Sequence, residues 1–386
     1  MRTSVKRIAT GIDVGTYSTR VVVVEHIRGE APRIIGTGIS ETRGLRHGYV
    51  VNKIDAMRSI STAIIHAEKM AGFKIKNAFL SVGGVSLESV ISSGSTIISR
   101  ASGEVSEQDI KKAETEAEDT LTNLVNKRII YRVPLRYKLE GKEVLGNPRG
   151  MIGTKLEAKV LFVTCLEQHL DEMVKAIEEL DIEVDEVVPS PIAAGQVALN
   201  KKQRSVGCAL VNIGAETVSI AVFENEVPIS LQIFPIGSTD ITNDIALGLK
   251  IPLDEAERIK LSSPSTYPKK KLDDIIEARL YDIFELIEAH LKKIGRNGLL
   301  PAGVILTGGG VGIATIEDLA KAVLNLPSSV AHPALASGNK NPVKDSSWLV
   351  AYGLTLYALQ KPEGNGNENL SDIWGTLKNL VKPFLP

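Results

Sequence analysis

The sequence predicts an α/β protein of two similar halves, with a β-rich insertion in the first half and an amphipathic helix at the C-terminal end. Three observations carry this expectation. The chain has 386 residues, and single hydrophobic cores stop growing near roughly 250 residues, so two or more domains are needed. Two apolar runs broken by a glycine turn recur with the same order of residues. Strand-like and helix-like segments alternate around both of them. The composition supports a folded chain, at 43% hydrophobic, 24% charged and 4% aromatic, which supplies enough apolar residues for large sheets and argues against disorder.

Residues 8–25, IATGIDVGTYSTRVVVVE, read as a strand, a glycine turn and a second run, Val21 to Val24, too short and too β-branched for a helix. Asn52 to Ala71 has helical periodicity through Ile54, Met57, Ile60, Ile64, Ile65 and Met70, an Asn cap with Asp55 three residues later, and a stop at Gly72. From Ala78 to Arg100 the texture turns to Ser/Gly-rich alternating β. Ser106 and Asp109 then make a capping box for a charged helix ending near Val125, followed by the strand-like IIYRVPLRYKL. This reads as an inserted β/α unit. The run AKVLFVTC, a helix over 167–180 and a strand over Ile182 to Val188 form a βαβ pattern, for which a parallel pair is expected.

Cys208 to Glu224, CALVNIGAETVSIAVFE, repeats the grammar of the first hairpin: Asp13 and Asn212, Gly15 and Gly214, and Glu25 and Glu224 are each 199 positions apart. Three coincidences at one spacing argue for duplicated architecture. Lys250 to Lys293 reads as mostly helical, Gly303 to Thr307 as a strand entering Gly308-Gly309-Gly310, and Lys361 to Asn369 as a flexible linker. Beyond it, Leu370, Ile373, Trp374, Leu377, Leu380, Val381 and Phe384 fall on one helical face, with Ser371, Asp372, Lys378 and Asn379 opposite. Such a stripe commonly docks on a protein's own core. The polar linker and the Trp, Phe and Lys content favour an interfacial helix instead.

Several functions drop out. The net charge of −1 and the lack of a basic block with aromatics disfavour nucleic acid as a partner. Cys165 and Cys208 sit in apolar runs without a second ligand at metal spacing and read, with the six His, as structural residues of a reduced compartment. Met1 to Ala9 has no apolar leader core, and no stretch reaches the roughly 18 to 20 apolar residues that span a bilayer, so neither export nor a transmembrane span is expected. The sequence contains no P-loop, no G-x-S-x-G and no H-E-x-x-H. What remains is two Gly turns and a Gly-rich strand end. Glycine lets backbone N–H groups approach phosphate oxygens, Thr hydroxyls add donors, and a carboxylate such as Asp13 can hold Mg²⁺ or its waters.

The two hairpins, the TGGG strand end at 307–310 and the duplicated halves resemble the actin/Hsp70/sugar-kinase superfamily. The run Asn147-Pro148-x-Gly150-Met151-x-Gly153 leading into LEAKVLFVTC is similar to the FtsA family of bacterial cell-division proteins, and the resemblance covers nearly the whole chain. It implies an actin-like fold of duplicated ribonuclease-H-like halves: domain 1A at 1–79, 163–205 and 341–360, an inserted 1C subdomain at 80–162, domain 2A at 206–236 and 299–340, domain 2B at 237–298, a linker at 361–369 and a membrane-targeting helix at 370–386. It also implies that Asp13, Gly15, Thr16 and Arg20 form the first phosphate turn, that Gly214 and Thr217 belong to the second, and that Glu257, Lys260 and Gly308 to Gly310 face adenosine. ATP or ADP with Mg²⁺ is the implied ligand, the metal reached through Asp13.

Departures from the family pattern matter as much. Where relatives read DIGGGTxD, this chain reads NIGAETVS, with Asn212 and Ser219 replacing acidic residues and Glu216 standing where backbone would hug phosphate. The expectation is therefore weak nucleotide binding, slow or absent hydrolysis, and repulsion between Glu216 and phosphate. Pro189, Ser190 and Pro191 stand where active relatives carry a water-positioning Glu or Gln, and Ser190 without a partner is a poor base. The resemblance further implies protofilament formation, an anionic inner-membrane surface, other division proteins on the 1C subdomain, and the tail of the tubulin homologue FtsZ on a 2B region that includes Arg279. Lys269 to Lys271 are expected in a solvated loop. The protein would sit in the cytoplasm, peripheral on the membrane at the division site. The alternatives are a PilM-like pilus-assembly adaptor, disfavoured by residues 370–385, and a kinase or Hsp70-type ATPase of the same superfamily.

Overall fold

The computed structural model describes residues 6–361 except 123, 262–266, 332–342 and 344. The expected linker over 361–369 and the helix at 370–386 therefore lie outside the described residues, apart from Lys361.

The first half begins with strands β1 (Lys6–Val14), β2 (Ser18–Ile27) and β3 (Arg33–Glu41), joined by antiparallel ladders in which Asp13 pairs with Arg20. The two-residue strands β4 (Leu45–Arg46) and β5 (Tyr49–Val50) form a small hairpin before helix α1 (Lys53–Ala71) and strand β6 (Asn77–Val82). The Asn52 side chain accepts from Asp55 N–H, and Gly72 closes α1 in the left-handed region, as the capping signals predict. The expected core face of α1 is only partly right, because Ile54, Ile65 and Met70 are exposed. Ile60, Ala63, Ile64 and Ala67 make the buried stripe instead.

The insertion comprises β7 (Glu88–Ile97), α2 (Glu107–Asp119), β8 (Lys127–Leu139), β9 (Lys142–Val144) and β10 (Lys155–Leu166). Helix α2 starts with the Ser106–Asp109 capping box but ends at Asp119, short of Val125, with Thr120 as its cap. Its Ile110, Ala113 and Ala117 pack on Leu156, Ala158, Val160 and Phe162, which closes a separate small core.

Helix α3 (Glu167–Glu178), strand β11 (Glu183–Pro189) and helices α4 (Ser190–Ala198) and α5 (Lys201–Val206) lead into the second half. The expected parallel pairing of the strands flanking α3 is not found. Strand β10 pairs with β7 and β8 in the insertion's sheet, whereas β11 pairs in parallel with β6. A βαβ pattern gives a parallel pair only when both strands join one sheet, and here the insertion claims the first of them.

The second half holds β12 (Cys208–Ile213), β13 (Val218–Glu224), β14 (Val227–Phe234), α6 (Ser238–Leu249), α7 (Leu253–Leu261), α8 (Lys269–Lys293), β15 (Val304–Thr307), α9 (Ile316–Leu324) and β16 (Ser328–Val330). Helix α10 (Leu349–Gln360) returns the chain to the first half. Lys269 to Lys271 form the first turn of α8 rather than a loop, and remain exposed.

The strand orders establish the duplication. The first sheet runs β11-β6-β1-β2-β3, and the second contains β16-β15-β12-β13-β14, the same arrangement of a hairpin beside parallel strands. The insertion's strands continue the second sheet through one bridge, Gln232 to Glu88. Burial on both faces explains the unalternating valines of β2. Val21 and Val23 pack under α1, while Val22 and Val24 pack under α10. Gly36 and Gly38 of β3 allow α1 to lie close, since a Cβ at Gly38 would stand 1.8 Å from the Ala63 carbonyl oxygen. In the second half, Ala209, Val211, Ile213, Val218 and Ile220 pack against α6 and α8, with Phe284 fully buried among them. Phe284→Ala is therefore expected to cost about 3 to 5 kcal/mol in chemical denaturation.

Candidate functional site

The two hairpin turns face a common cleft. Turn one links β1 to β2, and turn two links β12 to β13, where Asn212 and Ser219 pair as Asp13 and Arg20 do. A cavity of about 740 Å³ lies between the halves, lined by Asp13, Gly15, Thr16 and Arg20 from the first turn and by Gly214 and Thr217 from the second. Glu257, Lys260, Gly308, Gly309 and Gly310 line it as well. The structure thus gathers in one place every residue that the motif reading assigned to nucleotide. Arg279 lies outside it, on α8, where its guanidinium grips Asp244 at 2.6 and 3.0 Å and approaches Asp282 at 3.2 Å.

At the first turn, the Ser81 hydroxyl donates to Asp13 Oδ1 at 2.6 Å. Burial pushes the Asp13 carboxyl above the ordinary carboxylate range, opposed by that hydrogen bond and by Arg20. Burial likewise pulls the Arg20 guanidinium down, opposed by Asp13 and Asp345. Arg20 donates to Ser18 Oγ at 2.5 Å, lies 5.6 Å from the centre of the Trp348 ring, and leaves its buried Nε–H without a partner. A guanidinium held this way is a desolvated cation in need of an anion. Because a raised carboxyl disfavours the ionised folded state, Asp13 costs stability once pH has risen through its folded range. Asp13→Asn is expected to raise the thermal midpoint of the ligand-free protein at neutral pH while weakening Mg²⁺-dependent nucleotide binding; scanning calorimetry with and without MgATP checks both.

On the other side, Lys260 Nζ sits 3.0 Å from the Ser238 carbonyl oxygen, 2.7 Å from Thr242 Oγ1 and 2.8 Å from Glu257 Oε2. These three acceptors use all three ammonium donors. Thr242 Oγ1 also donates to Glu257 Oε2 at 2.5 Å, so Lys260 and Thr242 hold the Glu257 carboxylate in place. Gly308, at φ +98°, ends β15 so close to β12 that a Cβ would come 2.2 Å from Asn212 Oδ1. Gly309, by contrast, has open space where a side chain would stand.

The expected repulsion between Glu216 and phosphate is not borne out by the geometry. Glu216 does not line the cavity, although Ala215 and Thr217 do. Its Oε2 accepts from the His47 backbone N–H at 2.6 Å, turned toward the β4–β5 loop of the first half. The sequence reading also missed the segment 345–347. Asp345, Ser346 and Ser347 line the cavity, with the Ser346 hydroxyl donating to the Gly308 carbonyl and the Thr307 hydroxyl donating to the Ser346 carbonyl, both at 3.1 Å. An Asp-Ser-Ser run before an apolar helix is a capping signature that marks this position. Nothing local to the sequence marks Ser81. Cys165 and Cys208 are buried, their thiols pushed up to about 11 and about 12 by burial. Buried His290 bonds Ser230 at 2.9 Å and is pushed down to about 4, again by burial. Among the described residues, no group of three His, Cys, Asp or Glu is arranged to hold a metal, and no helix is long and apolar enough to cross a membrane.

The family model "Cell division protein FtsA" matches residues 209–353, and "SHS2 domain inserted in FTSA" matches 84–164. The chain is 29% identical over 378 residues to Cell division protein FtsA of Pseudomonas aeruginosa, covering 92% of this chain and 90% of that relative. It is 28% identical over 380 residues to the Bacillus subtilis protein of the same name, covering 92% and 84%. Among solved structures, the PilM-PilN type IV pilus biogenesis complex matches with a TM-score of 0.69 at 16% identity, covering 92% of this chain and 99% of that one. MreB5 of Spiroplasma citri bound to ADP matches with a TM-score of 0.53 at 12% identity, covering 91% and 96%. At these identities both structural matches speak for an actin-like fold alone.

Proposed function

Since this chain belongs to the FtsA family and is an actin-like cell-division protein, we propose that it binds ATP or ADP with Mg²⁺ in the cleft and links FtsZ filaments to the cytoplasmic membrane. The observation that carries the nucleotide reading is the convergence of all eleven motif residues on one cavity of about 740 Å³, large enough for a nucleotide by the usual span of ligand sites. MreB5, of the same fold, was solved with ADP. The fit differs between the two ends of the cleft. Arg20 supplies a buried cation with an unpartnered N–H, and the two turns supply backbone N–H groups for phosphate. Glu257, held by Lys260 and Thr242, offers a fixed carboxylate for the hydroxyls of a ribose.

Mg²⁺, when bound, would neutralise phosphate charge and polarise it. Asp13 is the turn carboxylate that lines the cleft, because Asn212 occupies its matching position in turn two and Glu216 is turned to His47. With the Glu216 carboxylate of turn two turned to His47 and Ser190 without a general-base partner, nucleotide exchange rather than turnover is the chemistry these residues favour. Self-association is proposed through the 1C insertion and domains 2A and 2B, supported by exposed Ile97, Leu145 and Ile152 on the insertion. The FtsZ tail is proposed to meet the 2B surface near Arg279, where it would compete with Asp244 for the guanidinium. Calorimetric titration of the full chain with MgATP, and co-pelleting with anionic vesicles with and without FtsZ, test the two halves of this reading. No heat of binding would overturn the first, and FtsZ left in the supernatant with vesicle-bound protein would overturn the second.

A further inference from the structure

Glu216 sits at the tip of turn two, in the position that corresponds to Tyr17 of turn one by the same 199-residue spacing. Tyr17 is 60% exposed and ties down its turn through its carbonyl oxygen, which accepts from Thr42 N–H at 2.9 Å. Glu216 does something different. Its carboxylate accepts the His47 backbone N–H at 2.6 Å, and its carbonyl oxygen lies 3.2 Å from His47 Nδ1. His47 belongs to the first half and Glu216 to the second, so these two bonds join the walls of the cleft.

Both partners are held rigidly by their own halves. Turn two is pinned by Ser238 N–H on the Gly214 carbonyl at 2.9 Å and Thr239 N–H on the Ala215 carbonyl at 2.8 Å. The His47 loop is pinned by Val85 N–H on the His47 carbonyl at 3.3 Å, and by Tyr49 stacked on His169 with ring centres 3.7 Å apart. At Gly48 the backbone lies so near Gly84 that an added Cβ would stand 2.5 Å from the Gly84 Cα. Gly48, Gly83, Ala215 and Thr217 all line the cleft. The bond therefore connects two fixed bodies at the turn that the nucleotide reading assigns to phosphate, and a charge-assisted bond to a backbone N–H is among the stronger kinds.

We propose that Glu216 is a positioning residue that latches turn two to the His47 loop, so that the cleft opens and releases its ligand only when this bond breaks. The part concerning release rests on the nucleotide reading above; the latch itself does not. Its consequence is opposite to that of phosphate repulsion. Removing the carboxylate speeds ligand escape, because the closed state loses a bond, whereas removing a repelling charge would slow it.

The test uses the full chain, its Glu216→Gly and Glu216→Gln variants, and a fluorescent ATP analogue. In ligand-free protein, amide exchange of peptides covering residues 44–50 should rise about tenfold in Glu216→Gly and less in Glu216→Gln, whose amide oxygen still accepts a hydrogen bond. Stopped-flow dissociation of the analogue should accelerate about tenfold in Glu216→Gly, with partial rescue in Glu216→Gln. Unchanged exchange at 44–50 in both variants would overturn the latch, and slower dissociation from Glu216→Gly would overturn it in favour of phosphate repulsion. If the analogue binds none of the three proteins while exchange at 44–50 still rises, the latch stands and the nucleotide reading falls.

Discussion

Gly308→Ala is expected to reduce MgATP affinity by more than a hundredfold. Gly308 adopts φ +98°, a conformation open to glycine and strained for alanine. An added methyl would also lie 2.2 Å from Asn212 Oδ1 and 2.4 Å from the Ile213 carbonyl oxygen. The Asn212 amide can turn aside, but the Ile213 carbonyl belongs to the backbone of the strand that enters turn two and cannot yield. Strand β15 must move off β12, which displaces the glycine strand end and turn two together. A cost of about 1 to 3 kcal/mol in stability accompanies such overpacking. The control is Gly309→Ala, which meets no protein atom within 4 Å and should keep the original thermal midpoint. Titration calorimetry beside thermal denaturation separates lost binding from lost fold.

Replacing Trp374 and Phe384 together by glutamate is expected to abolish flotation with anionic vesicles and leave the thermal midpoint unchanged. Both residues lie outside the described ones, on the apolar helical face expected over 370–386. Each large apolar side chain contributes roughly 1.5 to 3 kcal/mol on burial, so losing two removes about 3 to 6 kcal/mol, or a factor of at least a hundred in partitioning. Adding two carboxylates beside anionic lipid lowers it further. Flotation of the doubly substituted chain at the original level would show that the anchor lies elsewhere.

Much of the fold was legible because backbone geometry dictated residue type. A Gly turn between apolar runs reads the same way at both ends of the 199-residue repeat, and the structure returns two sheets with matching strand order. The capping signals at Asn52 and Ser106 were likewise local and were borne out. The largest error depended on distant neighbours. The partner of β10 is decided by the insertion, which no periodicity reveals. The end of α2 is set by Thr120, in a helix polar enough that its pattern does not fade at its last turn. The same holds within the site. Asp13 and Gly308 announce themselves, whereas the direction of the Glu216 side chain depends on a loop 169 residues earlier in the chain.

The central claim, that two duplicated turns and a glycine strand end form one nucleotide cleft, is tested most directly by a crystal structure of the full chain with Mg²⁺ and a non-hydrolysable ATP analogue. The account predicts the phosphates between the turns at Gly15 and Gly214, with Arg20 bonded to them, the ribose hydroxyls on Glu257, and Glu216 still bonded to His47. An analogue found outside this cleft, or phosphates bound without either turn, would contradict it.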